Sequence, residues 1–241
     1  MNTIPDEEKG QKLRIRLRPT RWTHFGLLLS LGGFILVLLC LAGGLQPVSQ
    51  AIHFAKIQGE NVTVTFGLLG YCLHGNAAGW TCHQDDAVKM IPFLVTVPTL
   101  LNDTHPSLFV DPVTLPEGVY PLAVAQPNHD PRIFAGCIIC LICGGLAVAL
   151  GAGKILWYVQ DTSYLRGFMA MMAAVVALLL IAETTIMYHG GVELLNLTYP
   201  HLLATEGPGI TMMGTSLLLF GLSSAAYLQG CLSYEGGYGM V

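Results

Sequence analysis

Charged residues are scarce in this chain of 241 residues: only 11% are Asp, Glu, Lys or Arg, whereas a soluble domain carries roughly 25%. Hydrophobic residues make up 53% of the chain, and its mean hydropathy is +0.58. This shortage of charge excludes an ordinary soluble domain and predicts an integral membrane protein. The net charge of −4 adds little, because the placement of the charges is more informative than their sum.

Recognisable catalytic motifs are also lacking. Residues 151–154 read Gly-Ala-Gly-Lys, but Val148 and Ile155 stand where a phosphate-binding loop needs Gly and Ser or Thr. Gly221-Leu222-Ser223 resembles a membrane serine-protease motif, yet four spans without an obvious His partner within the membrane do not support a protease. The basic N-terminal tail adjoins an apolar run and lacks interleaved aromatic residues, which disfavours nucleic-acid binding. We therefore expect neither an enzyme nor a cofactor.

Four long apolar runs predict membrane spans. The first contains about 22 residues, which at ~1.5 Å per residue give ~33 Å, enough to cross a ~30 Å hydrocarbon layer. A signal peptide is the alternative, but its hydrophobic region measures only ~7–15 residues. The length of the run favours an uncleaved span. The predicted spans are 24–45, 133–153, 167–187 and 209–230.

Positive charges predict the orientation of these spans. The tail 1–23 is rich in Lys and Arg, which favours a cytoplasmic location and contact with anionic lipid headgroups. Lys154 and Arg166 flank the short loop 154–166 and place it on the same side. The C-terminal tail 231–241 then also lies inside, and the loops 46–132 and 188–208 lie outside. We predict a multi-pass plasma-membrane protein with both termini in the cytoplasm.

Three N-glycosylation sequons and one cysteine are candidate modification sites. Asn61, Asn102 and Asn196 each begin an N-x-S/T sequon, and all three lie in predicted outside loops, as expected of a glycoprotein. Cys231 directly follows the fourth span on the cytoplasmic side. It is a candidate for palmitoylation, with an unmodified thiol as the alternative.

Cys72 and Cys82 are the only cysteines in the predicted outside loops. Because an oxidising compartment favours disulfides, we predict that these two pair with each other. The preceding run 62–66 is β-branched and aromatic, which is typical of a strand, and the glycines that follow allow a close backbone approach. Eight prolines follow between residues 92 and 131 and exclude regular ladders there. We expect a small antiparallel sheet in the first loop, then an extended return to the membrane.

Small residues and cysteines recur inside the predicted spans. Gly145, Ala149 and Gly153 are spaced by four, as are Gly221 and Ala225, which favours close helix packing within one bundle or in a homo-oligomer. Three further cysteines are spaced by three on the second span. Thiolates in hydrocarbon with no nearby His or acid are poor metal ligands, so we interpret these as buried small residues: Cys137, Cys140 and Cys143.

A few titratable residues are candidates for a proton- or cation-responsive site. Glu183 is the only acid within a predicted span; it is either a functional group or a side chain that reaches the interface or bonds a neighbour. His74 lies between the paired cysteines and His83 follows the second, with Asp85 and Asp86 next along the chain. A disulfide would hold these groups near one another, and His titrates between about pH 5 and 8. The alternative is a solvated turn whose charges keep the loop soluble.

The motif around the first cysteine resembles that of the claudin-type tetraspan superfamily. Its residues are Gly67, Leu68, Leu69, Gly70, Tyr71 and Cys72, with Cys82 as the second cysteine. The animal pattern has Trp where Leu69 stands, and a further Trp before the motif. The Gly-x-x-Gly-Tyr-Cys form is most similar to the fungal Sur/PalI family, and it also resembles the fungal Fig family.

The resemblance implies a membrane all-α fold: a four-transmembrane-helix bundle with a small disulfide-pinned extracellular β-sheet. The Sur/PalI likeness implies a non-enzymatic protein that organises membrane domains and the cell cortex or takes part in ambient-pH signalling. Its partners would be the lipid bilayer, other membrane, cortical or signalling proteins, and further copies of itself. The alternative, from the claudin and Fig likenesses, is a protein that forms or regulates an ion path, such as one for calcium.

Overall fold

The computed structural model describes residues 21–43, 51–59, 62–75, 79–84, 132–157 and 163–235. Within these segments, four helices are long and apolar enough to cross a membrane. The long helices are α1 (Arg21–Ala42), α2 (Arg132–Trp157), α3 (Ser163–Thr184) and α5 (Pro208–Glu235). A π-helical turn, Thr185–His189, continues α3 directly into a short helix α4 (Gly190–Thr198). The lengths and composition of these helices are those of a multi-pass membrane protein. The proline-rich segment that we expected to lead back to the membrane, residues 92–131, lies outside the described residues.

The third helical segment extends further than the sequence predicts. The predicted span ends at residue 187, but the helical conformation continues to Thr198, so the first half of the predicted loop 188–208 is helical. Apolar side chains of α4, including Val192 and Leu195, are buried, and their packing stabilises the extension. Helix geometry is lost at Tyr199 (φ −126°, ψ 85°), where the following Pro200 disfavours the helical region.

The predicted cytoplasmic loop 154–166 is also shorter in the structure, because α2 continues to Trp157 and α3 begins at Ser163. Lys154 and Arg166, which we expected to flank an open loop, are instead buried helical residues that are 6% and 1% exposed. The guanidinium carbon of Arg166 lies 5.3 Å from the centre of the Tyr227 ring. Both residues still flank the connection between α2 and α3, and long basic side chains can pack their stems along apolar neighbours while they do so.

The four long helices pack as a ring in which α5 contacts α1 and α3, and α2 also contacts α1 and α3. The centre of the ring is closed by Phe220 of α5, which is fully buried. A Cβ atom at Gly33 of α1 would lie 3.1 Å from the Phe220 ring, and one at Gly144 of α2 would lie 2.8 Å from it. The absence of side chains at these two glycines makes room for the ring, so the middle of the bundle is packed.

A sheet of five antiparallel strands covers one end of the bundle, in the order β4-β3-β2-β1-β5. Its strands are β1 (Ala55–Gln58), β2 (Val62–Phe66), β3 (Gly70–Gly75), β4 (Trp80–Gln84) and β5 (Leu203–Glu206). We predicted a sheet within the first loop only, but β5 comes from the segment between α4 and α5. By pairing with β1 it covers a strand edge that would otherwise present open hydrogen-bonding groups.

The sheet and the helices share one hydrophobic core. Phe54, Ile57 and Val64 from the sheet side pack in the same buried cluster as Tyr188 and Leu195 from the helical side. The opposite face of the sheet is mixed, with Cys72 buried and His74 exposed. The sheet is thus joined to the bundle by its buried face, and we call this contact region the sheet–bundle junction.

Candidate functional site

The disulfide predicted from the sequence is present and joins β3 to β4. Cys72 and Cys82 face each other directly in the register of the two strands, with their Cα atoms 4.0 Å apart. Cys72 is fully buried, so the bond is protected on the β3 side. The covalent link therefore ties the outermost strand of the sheet to its neighbour.

His74 and His83 lie on opposite faces of the β3–β4 hairpin. His83 is opposite Tyr71 and stacks on its ring at a centroid distance of 5.3 Å, whereas His74 is opposite Trp80 at 4.9 Å. Tyr71 and His74 are three positions apart on β3, and side chains an odd number of positions apart point to opposite faces. The disulfide therefore does not bring the two exposed histidines into one group, contrary to the expectation from the sequence.

The first residues of the motif that carries the family resemblance form the turn between β2 and β3. The N–H of Gly67 donates to the carbonyl oxygen of Gly70 at 2.9 Å, which closes the turn. Leu68, at the tip of the turn, is only 4% exposed and belongs to the core shared with the helices. The turn is therefore inserted into the sheet–bundle junction.

Tyr188 connects this turn to the membrane helix. Its hydroxyl donates to the carbonyl oxygen of Gly67 at 3.0 Å, and its ring stacks on Phe54 at a centroid distance of 5.1 Å. Tyr188 belongs to the π-helical turn, and π-helical turns often occur at functional sites. Sequence reasoning missed Tyr188 because it placed this residue at the start of a loop.

Glu183 precedes the π-helical turn and is half-buried. The next residue, Thr184, is fully buried, and its hydroxyl donates to the carbonyl oxygen of Leu180 in its own helix at 2.7 Å. The sequence singled out Glu183 for its charge. In the structure, Glu183 lies two residues before the point, Thr185, at which the α-helix changes to a π-helical turn.

Strand β5 is bonded to β1 on one side and to side chains of the helical segment on the other. Towards β1, the N–H of Gly207 donates to Phe54 O at 2.9 Å, and the N–H of Gly209 donates to His53 O at 3.0 Å. Towards the helices, Glu206 contacts the imidazole Nδ1 of His189, and Ala204 is bonded to the side chain of Asn196. The sequence signal for β5 was weak, because Thr205 is its single β-branched residue and it contains no aromatic residue.

His53 lies where β1 meets the start of α5. Burial lowers the pKa of its imidazole, and the positive charge of Lys56 lowers it further. A Cβ atom at Gly207 would lie 2.6 Å from the His53 ring, so the imidazole is held tightly against the backbone after β5.

A second group of polar side chains lies inside the bundle at the end opposite the sheet. Ser223 of α5 donates to Gly26 O of α1 at 2.8 Å, and its oxygen is 2.5 Å from the hydroxyl of Ser30. Ser224 donates to Gly167 O of α3 at 2.9 Å. Ser223, part of the protease-like sequence, therefore joins α5 to α1, a contact between helices that the sequence did not predict.

The cysteines of α2 behave as small buried residues. Cys137 and Cys140 are fully buried, and the thiol of Cys140 lies 3.5 Å from Ala173 O of α3. Cys143 is half-buried. Among the described residues there is no group of three or more His, Cys, Asp or Glu side chains that could hold a metal ion.

The predicted small-residue stripes have mixed outcomes. On α2, Gly145 faces Phe34 of α1, to which an added Cβ would lie 3.4 Å, as expected for packing within the bundle, but Ala149 of the same stripe is exposed. Gly221 and Ala225 instead face outward, and an added Cβ at Gly221 would meet nothing within 4 Å. Packing within one bundle is therefore the wrong interpretation for the α5 stripe, and association with other copies stays a prediction.

Several predicted site residues fall outside the described residues: Asn61, Asn102, Asp85 and Asp86. Cys231 lies near the end of α5, which extends beyond the predicted span. In comparisons with known proteins, no family model and no curated protein matches this chain. Function is therefore inferred from the sheet–bundle junction itself.

Proposed function

We propose that this chain is a non-enzymatic plasma-membrane tetraspan of Sur/PalI type, which organises a membrane domain or senses a signal outside the cell. In this proposal both termini are cytoplasmic and the sheet is the outer surface. Other membrane, cortical or signalling proteins are its partners.

The observation that carries the proposal is the hydrogen bond from Tyr188 to Gly67. It joins the motif turn, which lies in the sheet, to the π-helical turn, which lies in the continuation of α3. A neutral hydrogen bond of this kind contributes about 1 kcal/mol, which is small enough to be broken by a bound partner. The contact thus provides a physical route between the outer surface and a membrane helix.

In this proposal the signal is received by the disulfide-linked hairpin of β3 and β4. Its outer strand is covalently tied to the sheet, so a force on β4 is transmitted to β3 and from there to the motif turn. His74 and His83 are exposed on this hairpin and are the proposed proton-responsive groups. Because they lie on opposite faces, each would act separately.

The test is capture of partners from native membranes after mild crosslinking. Tyr188→Phe deletes only the hydroxyl and keeps the ring that stacks on Phe54. We expect the wild-type chain to recover cortical or signalling proteins, and Tyr188→Phe to recover several-fold less of them at equal surface level. The matched control is Tyr164→Phe, which changes an exposed tyrosine at the opposite end of the bundle.

Equal recovery by both variants would show that the Tyr188–Gly67 contact does not serve signalling. Loss of surface delivery in Tyr188→Phe would show a purely structural role. Loss of partners with Tyr164→Phe as well would point to a site elsewhere.

An ion path is the second candidate function, which the claudin and Fig likenesses suggest. Three buried polar side chains that lie around Tyr227 inside the bundle favour it, because polar side chains between spans often mark such paths: Ser30, Ser223 and Arg166. The packing of Phe220 between Gly33 and Gly144 argues against a path along the axis of one bundle. A path between copies, or regulation of a separate channel, remains the form to test by calcium uptake. Recovery of calcium-channel subunits in the crosslinking experiment would favour this candidate.

A further inference from the structure

Asn196 binds strand β5 with both ends of its side-chain amide. Its Nδ2 donates to the carbonyl oxygen of Ala204 at 2.9 Å, and its Oδ1 accepts from the N–H of the same residue at 2.8 Å. Asn196 lies in the last turn of α4, whereas Ala204 is the second residue of β5. One side chain therefore satisfies two backbone groups of a neighbouring element.

The amide takes the place of an adjoining strand. Ala204 is opposite Ile57 of β1. Because Gly207 donates to Phe54 O, and hydrogen-bonded positions alternate along the ladder, the residues bonded to β1 are Leu203, Thr205 and Gly207. In an antiparallel ladder the intervening residue directs its N–H and C=O away from its partner strand. Those of Ala204 thus point from the sheet towards α4, where Asn196 binds them.

We propose that Asn196 is an internal clamp that closes the edge of β5 and holds α4 to the sheet, and that it carries no glycan in the folded protein. This inference goes beyond the proposed function: the clamp does not depend on it, whereas the statement about the glycan rests on the orientation proposed there, in which this segment faces outward. Its sequon, Asn196-Leu197-Thr198, predicts a glycan acceptor. In the structure the acceptor nitrogen is instead engaged with Ala204, and the asparagine is part of a helix.

The covalent geometry of a glycosylated amide conflicts with the clamp. Attachment replaces one hydrogen of Nδ2 by a sugar carbon and produces a secondary amide, which is planar and strongly prefers the trans arrangement. In that arrangement the sugar carbon lies on the same side of the C–N bond as Oδ1. To bind the C=O and the N–H of one residue with Nδ2 and Oδ1, the side-chain amide needs an Nδ2 hydrogen on the same side as Oδ1. The clamp and the glycan therefore exclude each other.

The experiment separates the sequon from the amide. Thr198→Ala removes the sequon and leaves the Asn196 side chain intact. Asn196→Leu removes both bonds at similar size, and Asn196→Asp keeps the acceptor but places a carboxylate oxygen against Ala204 O. Each is made in the full chain with Asn61 and Asn102 replaced by Gln, so that Asn196 is the single remaining sequon. The measurements are glycosidase-sensitive mobility, thermal midpoint, and hydrogen exchange of the Ala204 amide in detergent.

We expect no glycosidase-sensitive shift at Asn196 in the surface-delivered protein. Thr198→Ala should keep the midpoint and the exchange rate of the parent chain. Asn196→Leu and Asn196→Asp should lower the midpoint by about 2–4 °C or more, and Asn196→Leu should expose the Ala204 amide to exchange about tenfold faster. If Asn196→Leu does not fold, Asn196→Asp and Thr198→Ala still provide the comparison. A glycan on Asn196 in the folded protein, or unchanged midpoint and exchange in the Asn196 variants, would overturn the proposal.

Discussion

At the residue scale, His53 stands apart from the other histidines of the described segments. Its side chain is half-buried, whereas those of His24, His74 and His83 are exposed, as are His189 and His201. Its carbonyl oxygen accepts from Gly209, and its imidazole packs beside Gly207. Because burial, and then Lys56, lowers the pKa of His53, the folded protein favours the neutral imidazole.

His53 should therefore make the folded protein less stable in acid. As pH falls below the ordinary His pKa of about 6.5, the unfolded chain takes up a proton that folded His53 resists, so stability is lost down to the lowered pKa. We expect the thermal midpoint in detergent to fall less between pH 7.5 and 5.5 in His53→Gln than in wild type. His74→Gln, which changes an exposed ring, is the control. An identical fall in wild type and His53→Gln would contradict this prediction.

At the element scale, α5 supplies the side chain at the centre of the bundle, the fully buried ring of Phe220. Its two faces differ sharply. The inner face meets glycines of α1 and α2 at close range, whereas the outer face presents Gly221 to open space. The same residue type thus has opposite roles on neighbouring helices.

Gly144→Ala and Gly221→Ala should therefore differ in stability. The first places a Cβ 2.8 Å from the buried Phe220 ring, and overpacking of this kind costs roughly 1–3 kcal/mol. The second should be neutral or stabilising, because Ala exceeds Gly in helix propensity by about 1 kcal/mol. Thermal unfolding in detergent measures both. If Gly221→Ala destabilises the chain as much as Gly144→Ala does, a neighbouring copy occupies the outer face of α5.

At the scale of the whole molecule, one hydrophobic core extends through the sheet and the four long helices, and a smaller buried cluster lies around Tyr227. The sheet is assembled from chain segments on both sides of α2 and α3, since β1 pairs with β2 and also with β5. Movement of the segment between α4 and α5 therefore cannot occur without affecting the first loop. This coupling is what the proposed function requires of an outer domain.

Accessibility labelling tests the predicted orientation of the whole chain. A cysteine introduced at Leu197, a residue of α4 that is 46% exposed, should react with a membrane-impermeant thiol reagent on intact cells. A cysteine at Thr162, between α2 and α3, should react only after permeabilisation. The increase in labelling over wild type is the measurement. Labelling of Thr162 in intact cells would exclude the predicted orientation.

The class of the protein was determined by the sequence alone. Scarcity of charge and four apolar runs of sufficient length are local properties, and each could be counted along the chain without knowledge of its neighbours. The disulfide was equally accessible, because only Cys72 and Cys82 lie in the predicted outside loops. The β-branched run before them likewise predicted strand β2, which the structure contains.

The tertiary structure decided which residues meet. Strand β5 has little strand character of its own and exists because β1 offers it an edge, and α4 continues α3 because its apolar side chains find the core. The contact of Tyr188 with Gly67 spans 121 positions of the chain, and the burial of Arg166 depends on Tyr227 of another helix. Such contacts depend on the packing of segments that are distant in the sequence, so they cannot be predicted from local composition. For that reason the sequence predicted the helices and the disulfide, and only the fold revealed how the sheet packs on the helix bundle.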